Sequence, residues 1–411
     1  MTDGKKTVLL CISGGIAAYK SAYVASDLSK KGYDVHVLMT KNACEFVAPL
    51  TFETLTGNKA CVDTFDRNFE FKTQHISLAK QADLVLVAPA SADILAKLAH
   101  GIADDMVTTT ILACTCPKIV SPAMNSAMYE NPITQDNLET LRGYGFEVLD
   151  PAAGYLACGD IGPGRMPEPD ILTEAVEHAI SHEKDMAGLN VLVTAGPTRE
   201  SLDPVRFITN HSSGKMGYAL AKAAAARGAN VTLVTGRTAL TAPSFMDVVQ
   251  VESAQDMFEE VVSRQQDMDI IIKAAAVADY RPASKADEKI KKDSAPVSDD
   301  PDIAMLLPMA RTEDILKYLG EHRQGRQFLC GFSMETENML ENSRRKLERK
   351  HVDMICANSL RQEGAGFAGD TNVMTLISKD RETSLPLMSK DETATAILDE
   401  IMIVRNSETE G

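Results

Sequence analysis

Short apolar runs alternate with amphipathic stretches through the first half of the chain. Runs typical of buried strands span 7–12, 34–39, 83–88, 118–121 and 146–149, and helical spacing recurs over 16–30, 92–100 and 134–143. Strands that alternate with helices of this length predict a parallel, doubly wound α/β sheet. Because ligands of such sheets bind beyond the carboxyl ends of the strands, candidate site residues are expected there.

The stretch 151–167 breaks this pattern because it is rich in glycine and proline. Both residues disfavour the interior of a helix or strand, so we predict a mobile, functional loop without regular structure. A helix is predicted over 170–184, and 185–189 is predicted to be a linker between two domains.

A second α/β series follows the predicted linker. Strands are predicted at 191–194, 231–235, 248–251, 269–273, 328–332 and 354–357, helices at 217–227, 254–264 and 339–350, a strand pair near 372–388 and a last helix over 391–404. The sequence therefore predicts two domains, 1–189 and 190–411. Within the second domain, the stretch 281–301 is polar and is predicted to be flexible.

Composition narrows the class of protein. The formal net charge of -16 argues against a general affinity for nucleic acid or an anionic membrane. No apolar run has the length of a membrane span, and the start of the chain does not resemble a signal peptide. The eight cysteines are scattered, which favours reduced thiols and a cytoplasmic protein. Cys114 and Cys116 have no second Cys or His pair nearby in sequence, so zinc binding is not expected.

Small and hydroxyl-bearing residues follow three of the predicted strands in the first half. They are Ser13, Gly14 and Gly15 after the first strand, Thr40 after the second, and Ser91 and Asp93 after the third. Backbone amides at a helix start suit a phosphate, and three such strand ends favour a mononucleotide such as FMN. A tight strand-to-helix turn explains the glycines alone equally well, and the adjacent glycines do not form a G-x-G-x-x-G dinucleotide motif.

Three further residues of the first half have a functional and a structural interpretation. His75 is a candidate catalytic group, although a lone histidine beside an apolar segment is usually structural. Asn125 follows the fourth strand and is suited to cap a helix. Cys158 lies in the glycine-rich stretch, where a buried structural role is less expected, and so is a candidate for chemistry.

The second half carries two candidate ligand segments. Ser212, Ser213 and Gly214 precede a helix and suit either an anion site or a simple helix cap, and the spacing is not that of a Walker A loop. The alanine-rich segment that ends at Asp279 would let a planar base approach the backbone, and Lys289 beyond it would reach phosphates. A lysine run is otherwise usually a solvated surface.

These motifs together resemble known families. In the first half, G-G-I-A-A-Y-K (14–20), His75, P-A-M-N-x-x-M (122–128) and A-C-G-D-I-G-P-G-R-M (157–166) resemble the flavin-containing cysteine decarboxylases. In the second half, 194–200, 210–217, 275–280 and 289–292 resemble phosphopantothenate–cysteine ligases. Over nearly the whole chain the sequence resembles the bacterial family in which both are fused, which implies a flavodoxin-like and a Rossmann-like domain.

For the first domain the resemblance implies decarboxylation of 4'-phospho-N-pantothenoylcysteine to 4'-phosphopantetheine. A cysteinyl carboxylate has no electron sink, and FMN would create one by oxidising the thiol to a thioaldehyde before returning hydride. His75 would assist the oxidative and decarboxylating half, Asn125 would bind the substrate carboxylate, and Cys158 would donate the final proton from a closing clamp.

For the second domain the resemblance implies that 4'-phosphopantothenate and CTP form an acyl-cytidylate, from which the amine of cysteine displaces CMP. Asp279 with Ala275 and Ala276 would hold cytosine, Lys289 would stabilise the triphosphate, and Asn210 would orient the acyl intermediate. Mg²⁺ would neutralise charge at phosphorus. The other implied nucleotide contacts are Thr312, Glu313, Asp314, Ile315, Phe332, Lys346 and Lys350, with Thr312 and Glu313 in place of the family's asparagine and proline.

Alternatives from other classes are a flavin-binding regulatory protein on the same fold and an unrelated nicotinamide-dependent reductase. The combination of His75, Asn125 and Cys158 counts against the first, and the lack of a G-x-G-x-x-G turn counts against the second. The resemblance further implies a homo-oligomer with trimers of the decarboxylase half, dimers of the ligase half and, in combination, a dodecamer.

Overall fold

The first half of the protein folds around a five-stranded sheet in the computed structural model. The structure describes residues 4–65, 74–155, 159–243, 245–291, 306–335, 338–359, 369 and 371–407. It divides into two units, Met1–His182 (unit 1) and Glu183–Gly411 (unit 2). The division falls before the predicted boundary between 189 and 190.

Unit 1 contains strands β1 (Thr7–Ile12), β2 (Asp34–Met39), β3 (Leu84–Ala90), β4 (Lys118–Pro122), β5 (Phe146–Val148), β6 (Ala152–Tyr155) and β7 (Ile161–Arg165). Its helices are α1 (Ala18–Lys30), α2 (Lys41–Cys44), α3 (Pro49–Thr56), α4 (Gln74–Gln81), α5 (Ala92–Ala99), α6 (Met106–Ala113), α7 (Ser126–Tyr129), α8 (Pro132–Gly143) and α9 (Pro169–Ile180).

The main sheet of unit 1 has the order β2-β1-β3-β4-β5, and every pairing is parallel. This is the flavodoxin-like order that the resemblance implies. All residues of β1 and β3 are buried because helices cover both faces of the sheet. Continuous apolar runs rather than alternating ones therefore mark these strands in the sequence, and the prediction of a doubly wound sheet is confirmed.

The prediction that 151–167 lacks regular structure is wrong. Strands β6 and β7 within it pair as an antiparallel hairpin. A two-stranded ribbon has free edges, so it tolerates proline and glycine that a central strand would exclude. Its register shift between Ala152 and Ala153 absorbs part of the irregularity. The helix predicted over 170–184 ends earlier, at Ile180.

Unit 2 contains strands β8 (Asn190–Ala195), β9 (Arg199–Ser201), β10 (Phe207–Thr209), β11 (Asn230–Thr235), β12 (Asp247–Gln250), β13 (Ile270–Lys273), β14 (Tyr280–Pro282), β15 (Met309–Arg311), β16 (Phe328–Glu335), β17 (Met354–Ser359), β18 (Thr371–Ser378) and β19 (Glu382–Ser389). Its helices are α10 (Lys215–Ala226), α11 (Ala254–Arg264), α12 (Ile315–Glu321), α13 (Met339–Arg349) and α14 (Lys390–Ser407).

The eight-stranded sheet of unit 2 has the order β12-β11-β8-β13-β16-β17-β18-β19. The first six strands are parallel and have the Rossmann order 3-2-1-4-5-6, while β18 and β19 add an antiparallel edge. The strand order reverses between β8 and β13, which is where a doubly wound sheet forms its ligand crevice. The Rossmann-like prediction is confirmed. The small hairpin of β9 with β10 and the pair of β14 with β15 were not predicted.

The predicted linker 185–189 is packed into unit 2. Met186 is fully buried in the core of this unit. Arg227, which is also buried, donates hydrogen bonds to the carboxylates of Asp185 and Asp399. A buried guanidinium needs such partners, so removing Asp185 would leave it partly uncompensated. The segment is therefore part of unit 2. Within the described part of the chain, no helix has both the length and the apolar composition to cross a membrane. The segment 281–301, predicted to be flexible, lies partly outside the described residues.

Candidate functional sites

Unit 1 has a cavity of about 670 Å³ at the carboxyl ends of β1, β3 and β4. Ser13 ties two of these strand ends together. Its buried hydroxyl donates to the carbonyl of Pro89 at 2.7 Å and accepts from the amide of Ser91 at 2.8 Å. The cavity is lined by Gly14, Gly15, Ile16, Ala17, Tyr19, Lys20, Ser91, Ala92, Ala123, Met124, Asn125, Met128, Tyr155, Gly164, Arg165 and Met166.

Not all of the predicted cofactor residues line this cavity. Gly14, Gly15 and Ser91 line the cavity, and Ser13 holds Ser91 in place through the hydrogen bond from its amide. Thr40 instead caps α2, where its hydroxyl accepts from the amide of Ala43 at 3.2 Å. Asp93 is exposed and pairs with Lys97 at 3.5 Å. The predicted residues that line the cavity therefore follow β1 and β3, in agreement with the position of the ligand crevice in this fold.

The cavity walls fit a flavin. The side chains of Ile16, Tyr19, Met128 and Tyr155 line it and are all about half exposed or more, with Tyr155 at 70%. Apolar side chains left facing a cavity suit a planar ring system. Helix α1 begins at the same place, and the first turn of a helix suits the phosphate at the end of the FMN tail.

Asn125 caps a helix, as one of its two interpretations predicted, and its side-chain amide group also faces a carboxylate. Its Oδ1 accepts from the amide of Ala127 at 2.9 Å and caps α7, while its Nδ2 donates to Asp160 Oδ2 at 2.9 Å. The residue also lines the cavity. The hairpin of β6 and β7 is held against this turn, since the amide of Met124 donates to the carbonyl of Gly164 at 3.0 Å. A carboxylate can therefore be bound by the Asn125 amide beside the cavity.

The other two predicted catalytic residues of unit 1 are not brought to this cavity by the described residues. His75 is half-buried in the first turn of α4. Cys158 lies outside the described residues, between β6 and β7.

Lys20 lines the cavity and was not identified from the sequence. Its buried ammonium group donates to the carbonyl of Met166 at 3.1 Å and to Glu168 at 3.0 Å. The hydrogen bond from Lys20 and the nearby charge of Arg165 lower the pKa of Glu168. Desolvation opposes this shift but does not cancel it. The sequence signal was a lysine on an otherwise small and apolar helix face. Lys20 thus joins α1 to the segment that follows the hairpin.

Unit 2 has a pocket of about 280 Å³ where the order of the sheet reverses. The amide of Ala275 donates to the Thr194 hydroxyl, and the amide of Ala278 to the Thr198 hydroxyl, both at 3.1 Å. These bonds hold the alanine-rich turn after β13 against β8. The lining residues are Ser212, Ser213, Gly214, Lys215, Met216, Gly217, Lys273, Ala274, Ala275, Ala276, Val277, Asp279, Phe332, Ser333, Met334, Lys346, Asn358, Asn372, Met374 and Lys390.

Positive charge dominates this pocket. Among its described lining residues are four lysines, Lys215, Lys273, Lys346 and Lys390, and a single carboxylate, Asp279. The ammonium group of Lys346 donates to the carbonyl of Phe332 at 2.7 Å, which fixes its position. Several lysines that line one cavity give it a positive potential, which attracts anions. The arrangement is suited to a polyanionic ligand such as a nucleotide triphosphate.

The surroundings of Lys273 strongly affect its charge, and the sequence analysis did not identify this residue. Burial, and repulsion by Lys346 and Lys350, lower its pKa to about 8, against an opposing influence of Asp314 and Asp279. The residue ends β13, so its position at the crevice follows from the fold. The sequence signal was a charged residue at the end of an Ile-Ile-Ile run.

Five of the predicted nucleotide residues line the pocket, namely Ala275, Ala276, Asp279, Phe332 and Lys346. Asn210 lies beside it and donates to the carbonyl of Ala276 at 3.1 Å. Lys289 is exposed and is not among the lining residues. Its segment is held by Asp203, which accepts from the amide of Ile290 at 3.2 Å.

The turn 312–315 lies behind the pocket. The Thr312 hydroxyl donates to the carbonyl of Ala278 at 2.6 Å and its amide donates to the carbonyl of Asp279 at 3.1 Å. Asp314 caps α12 and pairs with Lys350 at 2.8 Å. Partial burial opposes the shift, but Lys350 and the amide of Lys317 lower the pKa of Asp314.

None of the residues in this turn lines the pocket, and neither does Lys350. Ile315 is buried and Glu313 is exposed. Within the described residues, no three His, Cys, Asp or Glu side chains form a group that could hold a metal ion.

Two family models match the chain. The flavoprotein family matches residues 1–181, and the DNA/pantothenate metabolism flavoprotein C-terminal domain matches residues 186–404. The chain is 47% identical over 398 residues to the coenzyme A biosynthesis bifunctional protein CoaBC of Vibrio vulnificus (strain YJ016), covering 97% of each protein. It is 46% identical over 400 residues to the protein of the same name from Bacillus subtilis (strain 168), covering 96% of each.

A solved structure is also similar. The crystal structure of the C-terminal domain of a coenzyme A biosynthesis bifunctional protein CoaBC is 43% identical, covers 54% of this chain and 98% of that one, and has a TM-score of 0.45. Family models cover both units, and relatives match along nearly the entire length. The chain therefore belongs to the family of coenzyme A biosynthesis bifunctional proteins CoaBC.

Proposed function

We propose that this protein catalyses two reactions of coenzyme A biosynthesis. The ligase domain, residues 190–411, couples 4'-phosphopantothenate to cysteine through an acyl-cytidylate formed from CTP. The decarboxylase domain, residues 1–189, converts the product to 4'-phosphopantetheine with FMN. The observation that carries the proposal is the four-lysine pocket at the switch point of unit 2, in a chain whose first unit belongs to the flavoprotein family.

In the ligase domain, the lysines of the pocket bind the phosphates of the nucleotide. Ala275 and Ala276 allow the cytosine ring to approach the backbone, and Asp279 accepts hydrogen bonds from it. Asn210, fixed through the Ala276 carbonyl, orients the acyl group. Because Asp279 is the single carboxylate among the described lining residues, Mg²⁺ would enter with the nucleotide and be held mainly by its phosphates. Lys289, exposed in this structure, reaches the triphosphate from the segment that Asp203 holds.

In the decarboxylase domain, FMN supplies the reversible oxidation of the substrate thiol. Gly14, Gly15 and Ser91 bind the cofactor, supported by Ser13. The Asn125 amide binds the carboxylate of the substrate. In this structure the carboxylate of Asp160 accepts that hydrogen bond, so Asp160 marks the place that the substrate carboxylate would take. His75 assists the oxidative half of the reaction, and Cys158 donates the last proton.

The experiment that tests the ligase proposal measures pyrophosphate release. Purified protein with 4'-phosphopantothenate and Mg²⁺ is given CTP or ATP in parallel reactions, with and without cysteine. We expect release with CTP before cysteine is added, and CMP after it. Release with neither nucleotide contradicts the ligase assignment. Bound flavin without either turnover would instead favour the regulatory alternative.

Replacing Cys158 by serine is expected to separate the two halves of the decarboxylase reaction. Carbon dioxide should still be released, because decarboxylation precedes the final protonation, while 4'-phosphopantetheine should fail to accumulate and the enethiol should remain. Mass spectrometry of the products together with carbon dioxide measurement decides the outcome. Cys44→Ser, at a half-buried thiol of the same unit, is the control. Normal phosphopantetheine formation by Cys158→Ser would refute the role.

A further inference from the structure

The turn between β9 and β10 is built around a buried carboxylate. The turn spans residues 202–206, and we call it the hairpin turn. The side chain of Asp203 in this turn is fully buried. A charged group is stable away from water only where it gains several strong hydrogen bonds, so the partners of Asp203 indicate what the carboxylate does.

The two carboxylate oxygens of Asp203 have different partners. Oδ1 accepts from the amides of Val205 and Arg206, both at 2.8 Å, which closes the turn as aspartates commonly do. Oδ2 accepts from the guanidinium group of Arg206 at 2.6 and 2.9 Å, and from the amide of Ile290 at 3.2 Å. A turn alone would need only the first oxygen. The second oxygen joins the turn to a segment 87 residues later in the chain.

Ile290 is held from both sides. Its amide donates to Asp203, and its carbonyl accepts from the guanidinium group of Arg206 at 2.8 Å. Four residues earlier, the amide of Ala286 donates to the first carbonyl of the hairpin turn at 3.0 Å. The backbone between these two residues is therefore held at both ends, and Lys289 lies within it.

The other end of the same hairpin is fixed to the nucleotide pocket. The Thr209 hydroxyl at the end of β10 donates to the carbonyl of Thr198 at 2.7 Å, and the Thr198 hydroxyl accepts from the alanine-rich turn. Asn210 follows directly and donates to the carbonyl of Ala276. The two strands pair over three residues, which is roughly 10 Å of strand. One hairpin thus sets the spacing between Asn210 and the backbone of Lys289.

We propose that Asp203 is a positioning residue for Lys289 in acyl-cytidylate formation, an inference that rests on the proposed ligase function. In that step a carboxylate oxygen of 4'-phosphopantothenate attacks the α-phosphorus of CTP, and the bond from this phosphorus to the pyrophosphate oxygen breaks. Negative charge develops on the leaving pyrophosphate, where the ammonium group of Lys289 acts.

The contacts of Ile290 lower the cost of this interaction. An exposed lysine on an unconstrained segment would lose backbone freedom each time its ammonium group met the triphosphate. Because the neighbouring residue is already held by Asp203, most of that freedom is lost before the nucleotide binds. Asp203 is not among the described residues that line the pocket, so it acts through Lys289.

Asparagine at position 203 would separate the two functions of the carboxylate. The hydrogen bonds from the Arg206 guanidinium group and from the amides of Val205, Arg206 and Ile290 lower the pKa of Asp203, in spite of burial, so it is ionised at neutral pH. In Asp203→Asn, Oδ1 can still accept from the turn amides. The nitrogen that replaces Oδ2 is a donor and cannot accept from Ile290. The turn should form while Ile290 is released.

The first measurement is pyrophosphate release by the full-length protein with CTP, 4'-phosphopantothenate and Mg²⁺ but without cysteine. Asp203→Asn should lower kcat by about 100-fold, the cost of misplacing a positioned group by about 1 Å, and should change the KM for CTP little. The proposed decarboxylase activity of unit 1 should stay unchanged. Asp380→Asn, at an exposed aspartate between β18 and β19, is the matched control and should release pyrophosphate as the original protein does.

Equal kcat values for Asp203→Asn and the original protein overturn the inference. No release by the original protein would instead contradict the proposed ligase function, so the two failures are distinguishable.

The second measurement is hydrogen–deuterium exchange read by mass spectrometry. The amide of Ile290 should exchange slowly in the original protein and fast in Asp203→Asn, while the hairpin turn stays protected in both. A loss of kcat with unchanged exchange at Ile290 overturns the inference. If protection is lost throughout unit 2 of Asp203→Asn, the second variant is Ile290→Pro, which removes the same amide and leaves Asp203 in place. It should lower kcat in the same way, and normal release by it also overturns the inference.

Discussion

Replacement of Lys273 by methionine is expected to weaken CTP binding by about 10- to 150-fold, the loss that corresponds to one charge-assisted hydrogen bond in a buried site. Methionine keeps the length and apolar stem of the side chain, so the pocket should remain filled. Lys273 sits at the end of the central strand β13, among Lys215, Lys346 and Lys390. Isothermal titration calorimetry of CTP with each protein measures the effect.

The control for this variant is Lys379→Met, at an exposed lysine after β18 that does not line the pocket. It removes the same charge from the same unit and should bind CTP as the original protein does. If both variants bind CTP equally, Lys273 has no contact with the phosphates.

The variant Lys289→Gln is expected to stop acyl-cytidylate formation. Normal pyrophosphate release by this variant would show that Lys289 is only a solvated surface residue.

The affinity for CTP should also depend on pH in a way that Lys273 determines. With a pKa of about 8 in the empty pocket, its side chain is charged below that pH and neutral above it. A bound polyanion raises this pKa, so binding takes up a proton. The association constant should be level below pH 7 and fall by up to about tenfold per pH unit above 8. Lys273→Met should abolish this fall, although the charges of Lys346, Lys350, Asp314 and Asp279 still act at this position.

Replacement of Gly164 by alanine is expected to reduce decarboxylase activity by at least about 100-fold while the ligase activity stays unchanged. Gly164 has a left-handed backbone (φ +124°), and an added Cβ would lie 2.2 Å from the carbonyl oxygen of Met124. The hairpin must then move away from the Asn125 turn that it holds. The strain of such a residue costs roughly 1–3 kcal/mol and the displacement misplaces the carboxylate-binding amide.

The bifunctional chain supplies an internal control for this variant. Phosphopantetheine formation and pyrophosphate release are measured on the same preparation, so misfolding of the whole protein would reduce both. Gly143→Ala, at the end of α8, is the matched substitution, since no atom lies within 4 Å of its added Cβ. Unchanged decarboxylation by Gly164→Ala would mean that the hairpin does not position Asn125.

The sheet strands were predictable because burial on both faces gives them a continuous apolar run. The predicted bounds of β1 and β2 agree with the structure residue for residue. The hairpin of β6 and β7 was missed because its pairing depends on contacts with the Asn125 turn, 30 or so residues earlier, and not on local propensity. Glycine and proline indicated a loop without regular structure, and tertiary contacts outweighed this local preference.

The candidate sites were predictable only in part. Strand ends indicated the edge of each sheet, and so Gly14, Ser91 and Ala275 were found. Lys273 and Lys20 were missed because the sequence around a lone lysine in an apolar stretch does not show where its ammonium group lies. The aliphatic part of the side chain can pack in the core while the charge points to solvent, or the charge can point into a site. Conversely, Thr40 and Asp93 follow strands as the rule requires, but their side chains are used by helix ends and a neighbouring lysine.

The contacts of Thr312 explain how a threonine could take the place of the family's asparagine here. Its hydroxyl reaches a main-chain carbonyl, and its own amide reaches another. What the turn 312–315 requires at this position is a short side chain with a hydrogen-bond donor, and several residue types satisfy that. Sequence variation at this position is therefore limited by the location of the hydrogen-bond donor and not by the residue type. A motif defined by residue type would overlook active members of the family.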